Sequence, residues 1–186
     1  VTLRNYRDDN GLNADINIRT HDIATLGLWG PKAVNALGNF IDPNEIDIQN
    51  FPFVTAKNLT LNLSGGKKID VWAARISYVG ESGWEIYFNN NKDDGLALYD
   101  SLLEVGVVPV GIETYANSRR LEKSFRLQGA DLETEYTAIE AAIQRPLVKE
   151  ADFHGKAAHL SQREEDPCAI LCTMTLDDLN VSGVPR

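Results

Sequence analysis

The stretch that decides the fold is Arg75-Ile-Ser-Tyr-Val-Gly-Glu-Ser-Gly-Trp-Glu-Ile-Tyr87. β-Branched and aromatic residues dominate Val71–Tyr78, and the same character returns at Glu85–Phe88, as is typical of strands. Gly80 and Gly83 lie between the two runs and supply the backbone freedom that a bend or bulge needs. We therefore predict a strand, a bend and a second strand.

The side chains of this stretch suit a flat, polar ligand. If Tyr78 ends the first strand and Glu85 opens the second, both side chains can lean over one concavity. Trp84 and Tyr87 would then wall the concavity or stack on a ring. A carboxylate can accept two parallel N–H bonds from the amino-amide edge of a heterocycle, and such charge-assisted pairs are strong. The alternative is an ordinary surface turn beside packed aromatic residues, with Glu81 solvated.

A second phrase, Asn117-Ser-Arg-Arg-Leu-Glu-Lys-Ser-Phe-Arg126, adds a cluster of cations on a predicted helix, Gly111–Phe125. The two phrases together predict a pocket for a flat, polar, partly anionic ligand. Lys123 and Arg126 have a plainer explanation, which is a salt-bridged helix face shared with Glu122. We favour that explanation for both residues.

The order of these phrases resembles the folate-binding domain of the glycine-cleavage T-protein (aminomethyltransferase) family. The resemblance runs from about Asn13 to Leu160 and is nearest to the folate-binding halves of dimethylglycine and sarcosine dehydrogenases. Besides the two phrases above, it rests on Leu26-Gly-Leu-Trp-Gly-Pro-Lys-Ala33, Phe51-Pro-Phe-Val-Thr-Ala56, Glu140-Ala-Ala142 and Phe153-His-Gly-Lys-Ala157. It implies an α+β fold of antiparallel hairpins backed by helices, with the start of a C-terminal β-barrel domain.

The resemblance also implies a tetrahydrofolate site. Tyr78 and Glu85 stand where the family places pterin-contacting residues. Arg120 stands on the arginine of the family's Arg-Leu-Glu phrase, which belongs to the same site. Trp84 and Tyr87 are further cofactor-binding candidates, for the wall of the pocket.

The catalytic residue is unassigned. In the resembled family an aspartate N-terminal to the Leu-Gly-Leu-Trp-Gly-Pro phrase assists attack of the folate nitrogen on the one-carbon donor. Asp15 superficially matches that aspartate, but counting back from Leu26 aligns it with a later strand. We therefore expect the catalytic aspartate to lie outside these residues. Asn117 is another departure, because an aspartate there in many relatives would place a charge beside Arg120.

The function implied by the resemblance is transfer of a one-carbon unit to tetrahydrofolate, as in a T-protein or a demethylating dimethylglycine or sarcosine dehydrogenase. The donor would be a small N-methyl or aminomethyl compound. A T-protein-like enzyme would use a lipoyl carrier protein, and a dehydrogenase-like one would carry FAD in a preceding domain. Two alternatives stay open: a folate-dependent demethylase of a sulfonium or ether, and a catalytically silent folate-binding or iron–sulfur-maintenance relative.

Composition excludes several other classes. The net charge of −9 argues against nucleic-acid binding and fits poorly with an anionic membrane surface. No run approaches the ~18 apolar residues of a membrane-spanning helix, and no signal peptide is visible. We expect a location in the cytoplasm, or in the mitochondrial matrix of a eukaryote.

We expect the folate-binding domain to cover residues 1–160, truncated at its N-terminus, and the truncated β-barrel domain to begin within 166–186. The chain starts with Val1 rather than methionine, and Leu179–Arg186 has turn chemistry without a closing element. Both ends therefore look cut, and we expect a fragment of a longer protein.

Cys168 and Cys172 lie on a predicted strand, Cys168–Leu176, too far apart along it to form a disulfide. We expect free core thiols in a reducing compartment, and no metal site, because further ligands are missing.

Periodicity predicts the remaining elements. The helices are Val1–Asp9, Lys32–Phe40, Asp93–Val105 and Thr137–Ile143, and the strands are Ala14–Arg19, a buried Ile23–Trp29, Ala56–Leu63 and Ile69–Tyr78.

Overall fold

A four-stranded antiparallel sheet organises the N-terminal part of the chain. The computed structural model describes residues 2–143 and 147–177. Its strands are β1 (Ile23–Trp29), β2 (Ala56–Asn62), β3 (Lys68–Ala74) and β4 (Gly83–Asn89). They lie in the order β1-β4-β3-β2, and each neighbouring pair is antiparallel. This is a Greek-key order, because three consecutive strands are neighbours and β1 lies beside the last of them.

Helices flank the strands in sequence. Their bounds are α1 (Thr2–Asp9), α2 (Ala33–Leu37), α3 (Pro43–Ile46), α4 (Lys92–Glu104), α5 (Arg120–Glu122) and α6 (Lys156–Glu164). A π-helical segment, Thr114–Arg119, runs directly into α5, and a short 3-10 turn, Ser64–Gly66, joins β2 to β3. Among the described residues, no helix combines the length and apolar character needed to cross a membrane. The predicted α+β class with an antiparallel sheet is confirmed.

The chain divides into two compact units. The first runs up to Ser77 and includes Glu81–Pro109, so it contains the sheet and α1 to α4. The second includes Tyr78–Gly80 and continues from Val110, so it contains the π-helical segment, α5 and α6. The bend between β3 and β4 therefore contributes three residues to the second unit, while the strands on either side belong to the first.

The core of the first unit lies on one face of the sheet. Alternate residues of the strands supply it: Leu28, Leu59, Leu61, Ile69, Val71, Ala73, Trp84, Ile86 and Phe88. Leu37 of α2, Ile46 of α3 and Leu98 of α4 pack in the same cluster. Burying one such large apolar side chain contributes about 1.5–3 kcal/mol relative to leaving it exposed, so this face holds the unit together.

The opposite face carries polar and aromatic side chains. One cross-strand row runs from Thr25 on β1 through Tyr87 and Trp72 to Asn58 on β2. Trp72 is 46% exposed although it lies in an inner strand. We call this surface the outer face.

β4 begins at a close approach to β1. Gly83 has a φ of +149°, and its Cα is so near β1 that an added Cβ would lie 2.8 Å from the Cα of Trp29. The backbone N–H of Gly30 donates to the carbonyl of Ser82 at 2.9 Å. Glycine is required here because any side chain would overlap the neighbouring backbone.

Two predicted strands differ from the structure. Ala14–Arg19 is not a strand, because arginines of α1 bind its carbonyls instead: Arg4 donates to Ile16 at 3.2 Å and Arg7 to Ala14 at 3.3 Å. The strand predicted to reach Tyr78 ends as β3 at Ala74, since Arg75 pairs through its backbone with Val54 and Thr55. The strand Ile23–Trp29 is confirmed, but only its Leu28 is buried because β1 is an edge strand.

Most of the predicted helices were correct in place and partly wrong in extent, and one was wrong. α1 and α4 match their predictions, apart from Val1, which lies outside the described residues. α2 is shorter than Lys32–Phe40, since the Asn39 side chain binds the carbonyl of Asn35 at 2.9 Å and closes its end. Thr137–Ile143 forms a turn rather than a helix.

The prediction for Cys168–Leu176 was wrong in two respects. The segment forms no strand within the described part of the chain, and both Cys168 and Cys172 are free and exposed rather than buried. Its backbone is held at Leu171, whose N–H donates to the carbonyl of Glu140 at 2.7 Å, instead of by a partner strand. The β-barrel expected over residues 166–186 stays a prediction, and Leu179–Arg186 lies outside the described residues.

Candidate functional site

Glu85 lies on the outer face of the first unit, near the start of β4. Its cross-strand neighbours are two small residues, Gly27 on β1 and Ala74 on β3. The side chain is half-buried and accepts a hydrogen bond from the hydroxyl of Tyr87. Within residues 2–143 and 147–177, no cation forms an ion pair with it. The sheet therefore presents a fixed negative charge that is not neutralised by the described chain.

Aromatic rings surround this carboxylate along the sheet. The Tyr87 ring contacts that of Trp72, with centroids 5.1 Å apart and planes at 57°. The ring of Trp29 covers Gly27, since a Cβ added to that glycine would lie 2.9 Å from Cε3 of the indole. The Trp29 indole N–H donates to the carbonyl of Ile76 at 2.9 Å, which fixes its orientation.

An open groove of about 770 Å³ lies on the outer face, and Glu85 is not among the residues that line it. Trp72 and Tyr87 line it, together with Arg19 and Asn58. Trp29 and Trp72 were not among the site residues predicted from the sequence. Strand alternation could have indicated Trp72, because it is paired directly with Tyr87 across β3 and β4.

Trp84 lies on the other face of β4 and is wholly buried. Its ring is 6.2 Å from that of Phe51, and the Arg75 guanidinium lies 5.0 Å over it. Its indole N–H has no hydrogen-bond partner among the described residues. A ring without exposed surface cannot wall a ligand, so we now interpret Trp84 as a residue that supports β4 from the core.

Arg75, which opens the first phrase, is also internal. Its guanidinium donates to the carbonyls of Ile46 at 3.0 Å and Phe51 at 2.8 Å. Burial lowers the pKa of this guanidinium, and the charge of Asp47 acts in the opposite direction. Arg75 thus anchors the loops beneath β3 and is not a ligand candidate.

Tyr78 belongs to the second unit, where its ring contacts two other aromatic rings. The centroid distances are 5.5 Å to Tyr115 and 5.9 Å to Phe125, and the Phe125 ring is stacked with planes at 17°. The phenol O–H donates to the carbonyl of Arg126 at 2.7 Å. Tyr78 is therefore held in one orientation by the segment that follows α5.

Arg120 holds that same segment. Its Nε donates to the carbonyl of Ala116 at 2.7 Å, and its Nη1 donates to the carbonyl of Phe125 at 3.1 Å and to Asp131. The side chain is 9% exposed. Asp131 also accepts from the backbone N–H of Leu127 at 3.0 Å. This aspartate, in Gly129-Ala-Asp-Leu132, was not among the site residues predicted from the sequence.

The salt-bridged helix face predicted for Lys123 and Arg126 is wrong. Arg126 donates to backbone carbonyls instead, to Ala141 and Leu171 at 2.8 Å each. These carbonyls lie on separate segments, so a residue beyond the helix end can reach both. Lys123 forms no ion pair within the described chain. The exposed pair on this surface joins Arg119 to Glu122 at 3.1 Å.

The remaining candidates are peripheral. Asp15 is exposed in the irregular stretch between α1 and β1. Asn117 is exposed and donates to Glu113, so it does not orient Arg120 through a direct hydrogen bond. Glu81 is half-buried rather than fully solvated, and its backbone N–H donates to the Ser77 hydroxyl at 3.2 Å. Among the described residues, no group of three or more His, Cys, Asp or Glu side chains could hold a metal ion.

The structure thus gathers the predicted residues into two sets. Glu85 and Tyr87 share the outer face of the first unit through a side-chain hydrogen bond. Tyr78 and Arg120 share the second unit, where both bind the backbone of the segment Phe125–Arg126.

Comparison with known proteins identifies the family of the chain. The model of the GCVT N-terminal domain family matches residues 2–150. Dimethylglycine dehydrogenase of human mitochondria is 33% identical over 181 residues, which are 93% of this chain and 20% of that protein. Aminomethyltransferase of Geobacillus sp. (strain WCH70) is 32% identical over 177 residues, 92% of this chain and 45% of that protein.

A third relative, the aminomethyltransferase of Staphylococcus carnosus (strain TM300), is 31% identical over 198 aligned positions, covering 100% of this chain and 49% of that protein. The chain therefore spans about half the length of the aminomethyltransferases it matches, and a fifth of the dehydrogenase. The family match extends over most of the described residues and includes both phrases that carry the candidate site. This chain belongs to the glycine-cleavage T-protein (aminomethyltransferase) family, through its GCVT N-terminal domain.

Proposed function

We propose that this chain is the tetrahydrofolate-binding domain of a one-carbon transferase that receives an aminomethyl or methyl unit from a small N-methylated or aminomethyl donor. Membership of the aminomethyltransferase family supports this function. At the level of residues, the proposed function rests on the Glu85 carboxylate. This group is half-buried, is oriented by Tyr87 and has no ion pair within the described chain.

The chemistry of a reduced pterin fits this carboxylate. The amino-amide edge of the pterin offers adjacent N–H donors, and a carboxylate can accept two of them in parallel. The hydrogen bond from Tyr87 limits rotation of the carboxylate before a ligand arrives. The Trp29 ring over Gly27 gives a flat apolar surface on the β1 side of the carboxylate, and the small Ala74 lies on its β3 side.

Tetrahydrofolate, when bound, supplies the nitrogen that accepts the one-carbon unit. The described residues contribute binding and orientation, which are a large part of catalysis between two reactants. Glu85 would bind the pterin edge and Tyr87 would orient Glu85. Tyr78 and Arg120 are further folate-binding candidates because of their positions in the family's phrases, and within the second unit Arg120 supports Tyr78 through the backbone of Phe125. We assign no catalytic base to these residues, and Asp15 has no contact that would favour it.

Further components would belong to the whole protein. A dehydrogenase-like protein would carry FAD in another domain, and a T-protein-like one would use a lipoyl carrier protein. The described residues show no flavin cradle, since the glycine turn Ser64–Gly66 joins two strands instead of opening a helix. The mitochondrial matrix is the location we propose if the protein is eukaryotic, because the dehydrogenase relative is mitochondrial.

Neither alternative reading gains support from the comparisons. The relatives described above are named dimethylglycine dehydrogenase and aminomethyltransferase. A silent folate-binding or iron–sulfur-maintenance role is likewise favoured by no observation on the site.

The test is calorimetric titration of the chain with 5-formyltetrahydrofolate, a stable reduced folate. Glu85→Gln keeps the size of the side chain and removes the charge. We expect it to weaken binding by about 2 kcal/mol, roughly thirtyfold, because a charged hydrogen-bond acceptor is lost. Glu104→Gln, at an exposed site on α4, is the matched control and should bind like the wild type. Equal affinity of Glu85→Gln and wild type would contradict the role of Glu85, and absence of wild-type binding would contradict the function.

A further inference from the structure

The indole of Trp29 is held in place by two contacts. A Cβ built on Gly27 would lie 2.0 Å from both Cη2 and Cζ3 of the indole, so the six-membered ring occupies the space of a side chain at position 27. At the other end of the ring system, the indole N–H donates to the carbonyl of Ile76 at 2.9 Å. The protein therefore orients this ring in advance, and a ligand that binds to it does not have to immobilise it.

These two contacts place the indole beside Glu85. Gly27 is the cross-strand partner of Glu85 on β1, whereas Ile76 follows the end of β3, on the other side of β4. The indole reaches both, so it lies across the start of β4, where Gly83 has no side chain. Side chains alternate along a strand, and Trp29 therefore shares the outer face with Glu85. All of these residues belong to the first unit.

The two flanks of the Glu85 carboxylate are chemically different. On one flank Tyr87 donates its phenol O–H to the carboxylate. On the other flank the indole directs its N–H to Ile76, so it turns apolar ring surface toward the site. Trp29 is partly exposed, and some of that surface is accessible from solvent. A heterocycle whose edge is bound by the carboxylate can stack on such a ring, because every aromatic base has a π-face.

We propose that the Trp29 indole is the surface on which the pterin bound by Glu85 stacks, and that Gly27 keeps this surface in place. This inference rests on the proposed function. The ring that carries the amino-amide edge stays flat in a reduced pterin, because the added hydrogens are on the other ring. Glu85 then recognises the N–H groups at the edge of the flat ring, and Trp29 recognises its face.

The first experiment separates the ring of Trp29 from its N–H. Trp29→Phe and Trp29→Leu both remove the hydrogen bond to Ile76, but only phenylalanine keeps an aromatic face. In calorimetric titration with 5-formyltetrahydrofolate, we expect Trp29→Leu to weaken binding about tenfold and Trp29→Phe no more than about threefold. Tyr99→Leu removes an exposed aromatic ring from α4 of the same unit, and this control should bind like the wild type.

The second experiment displaces the indole without replacing it. In Gly27→Ala the new methyl group would overlap the indole, so the ring must move, and we expect a loss of affinity similar to that of Trp29→Leu. The double variant should bind within about twofold of Trp29→Leu, since Gly27 acts through Trp29. Gly95→Ala on α4 is the matched control, because its methyl group would lie at 3.4 Å from Cε2 of Phe88, an ordinary contact distance.

NMR of the indole N–H groups reports the contact directly. The signal that is absent from the spectrum of Trp29→Phe belongs to Trp29, and in wild type it should shift when the folate is added. An unshifted Trp29 signal at saturating folate would overturn the inference. So would equal losses in Trp29→Phe and Trp29→Leu, which would show that Trp29 acts through its bond to Ile76, or additive losses in the double variant.

The outcome also separates this inference from the proposed function. If wild type binds the folate and Trp29→Leu binds it equally well, the stacking role of Trp29 is wrong and the proposed function stands. If wild type does not bind the folate, the proposed function is contradicted and the stacking role with it.

Discussion

In the first unit a sheet packs large apolar side chains against its helices, whereas in the second unit arginine side chains reach between segments and bind their carbonyls. The first unit buries Leu61, Trp84 and Ile86 completely or nearly so. Buried residues are few in the described part of the second, and one of them is the charged Arg120.

This difference changes how a charged motif should be interpreted. Apolar burial has no direction, so it stabilises a unit without fixing any one polar group. Guanidinium–carbonyl hydrogen bonds are directional, and in the second unit they fix the segment that holds Tyr78. The guanidinium groups of Arg120 and Arg126 are engaged in such hydrogen bonds and are therefore not available to bind a ligand. A cluster of cations in a sequence therefore predicts an anion site only for those members that the fold leaves unused.

The largest effect should come from the apolar core of the first unit. Ile86 is fully buried in the centre of β4. Ile86→Ala should lower the free energy of unfolding by about 3–4 kcal/mol, because it removes buried methyl groups and leaves a cavity. Urea unfolding followed by tryptophan fluorescence measures it. Ile18→Ala, at an exposed site of the same unit, should change the free energy of unfolding by less than about 0.5 kcal/mol, and a similar loss in both variants would contradict the role of apolar burial in the first unit.

A smaller effect should come from the arginine in the second unit. Arg120→Met should destabilise that unit by about 2 kcal/mol, since Asp131 and two carbonyls lose their donor. Hydrogen exchange of the Leu127 amide, which donates to Asp131, should accelerate.

The matched control is Arg119→Met, which removes an exposed pair and should cost less than about 0.5 kcal/mol. Combining Arg120→Met with Asp131→Asn should cost less than the sum of the two single changes, because the residues share one interaction. Additive costs would show that the ion pair does not couple them.

Local patterns sufficed to predict the hairpin of β2 and β3 and the helix α4, because each depends on neighbours in sequence. The alternation of side chains along β4 also predicts that Trp84 is buried. Trp84 lies two and four residues before Ile86 and Phe88, so all three side chains face the core. The role of Arg120 could not be read in the same way. Its partner Asp131 and the carbonyl of Phe125 come to it through a loop, and no sequence period describes that loop.

The smallest predicted effect concerns the pKa values of two carboxyl groups, one in each unit. Each pKa is lowered by a different kind of hydrogen-bond partner. The Thr137 backbone N–H donates to Glu140 at 2.9 Å, which lowers the pKa of Glu140 below its ordinary 4.5, with help from the Thr137 hydroxyl. The hydrogen bond from Lys67 lowers the pKa of Asp94 in the first unit, and Asn91 adds to it. A lowered folded pKa means that each contribution to stability is present above the ordinary pKa and is lost as pH falls through the lowered one.

NMR titration of the side-chain carboxyls measures both groups. Raising the salt concentration should move the pKa of Asp94 toward its ordinary value, because its partner is a cation. The pKa of Glu140 should respond less, since its first partner is a backbone amide. Equal salt responses would contradict the assigned causes.

The glycine at which β4 meets β1 has a consequence for chemistry two residues away. Because side chains alternate along a strand, a shift of β4 by one residue against β1 would turn Glu85 toward the helices and Ile86 toward water. Gly83 opposes such a shift, since only a residue without Cβ fits against the backbone of Leu28 and Trp29. The direction in which the carboxylate faces is thus set by a missing methyl group, and a ligand-binding property of this sheet depends on a residue that has no side chain to touch a ligand.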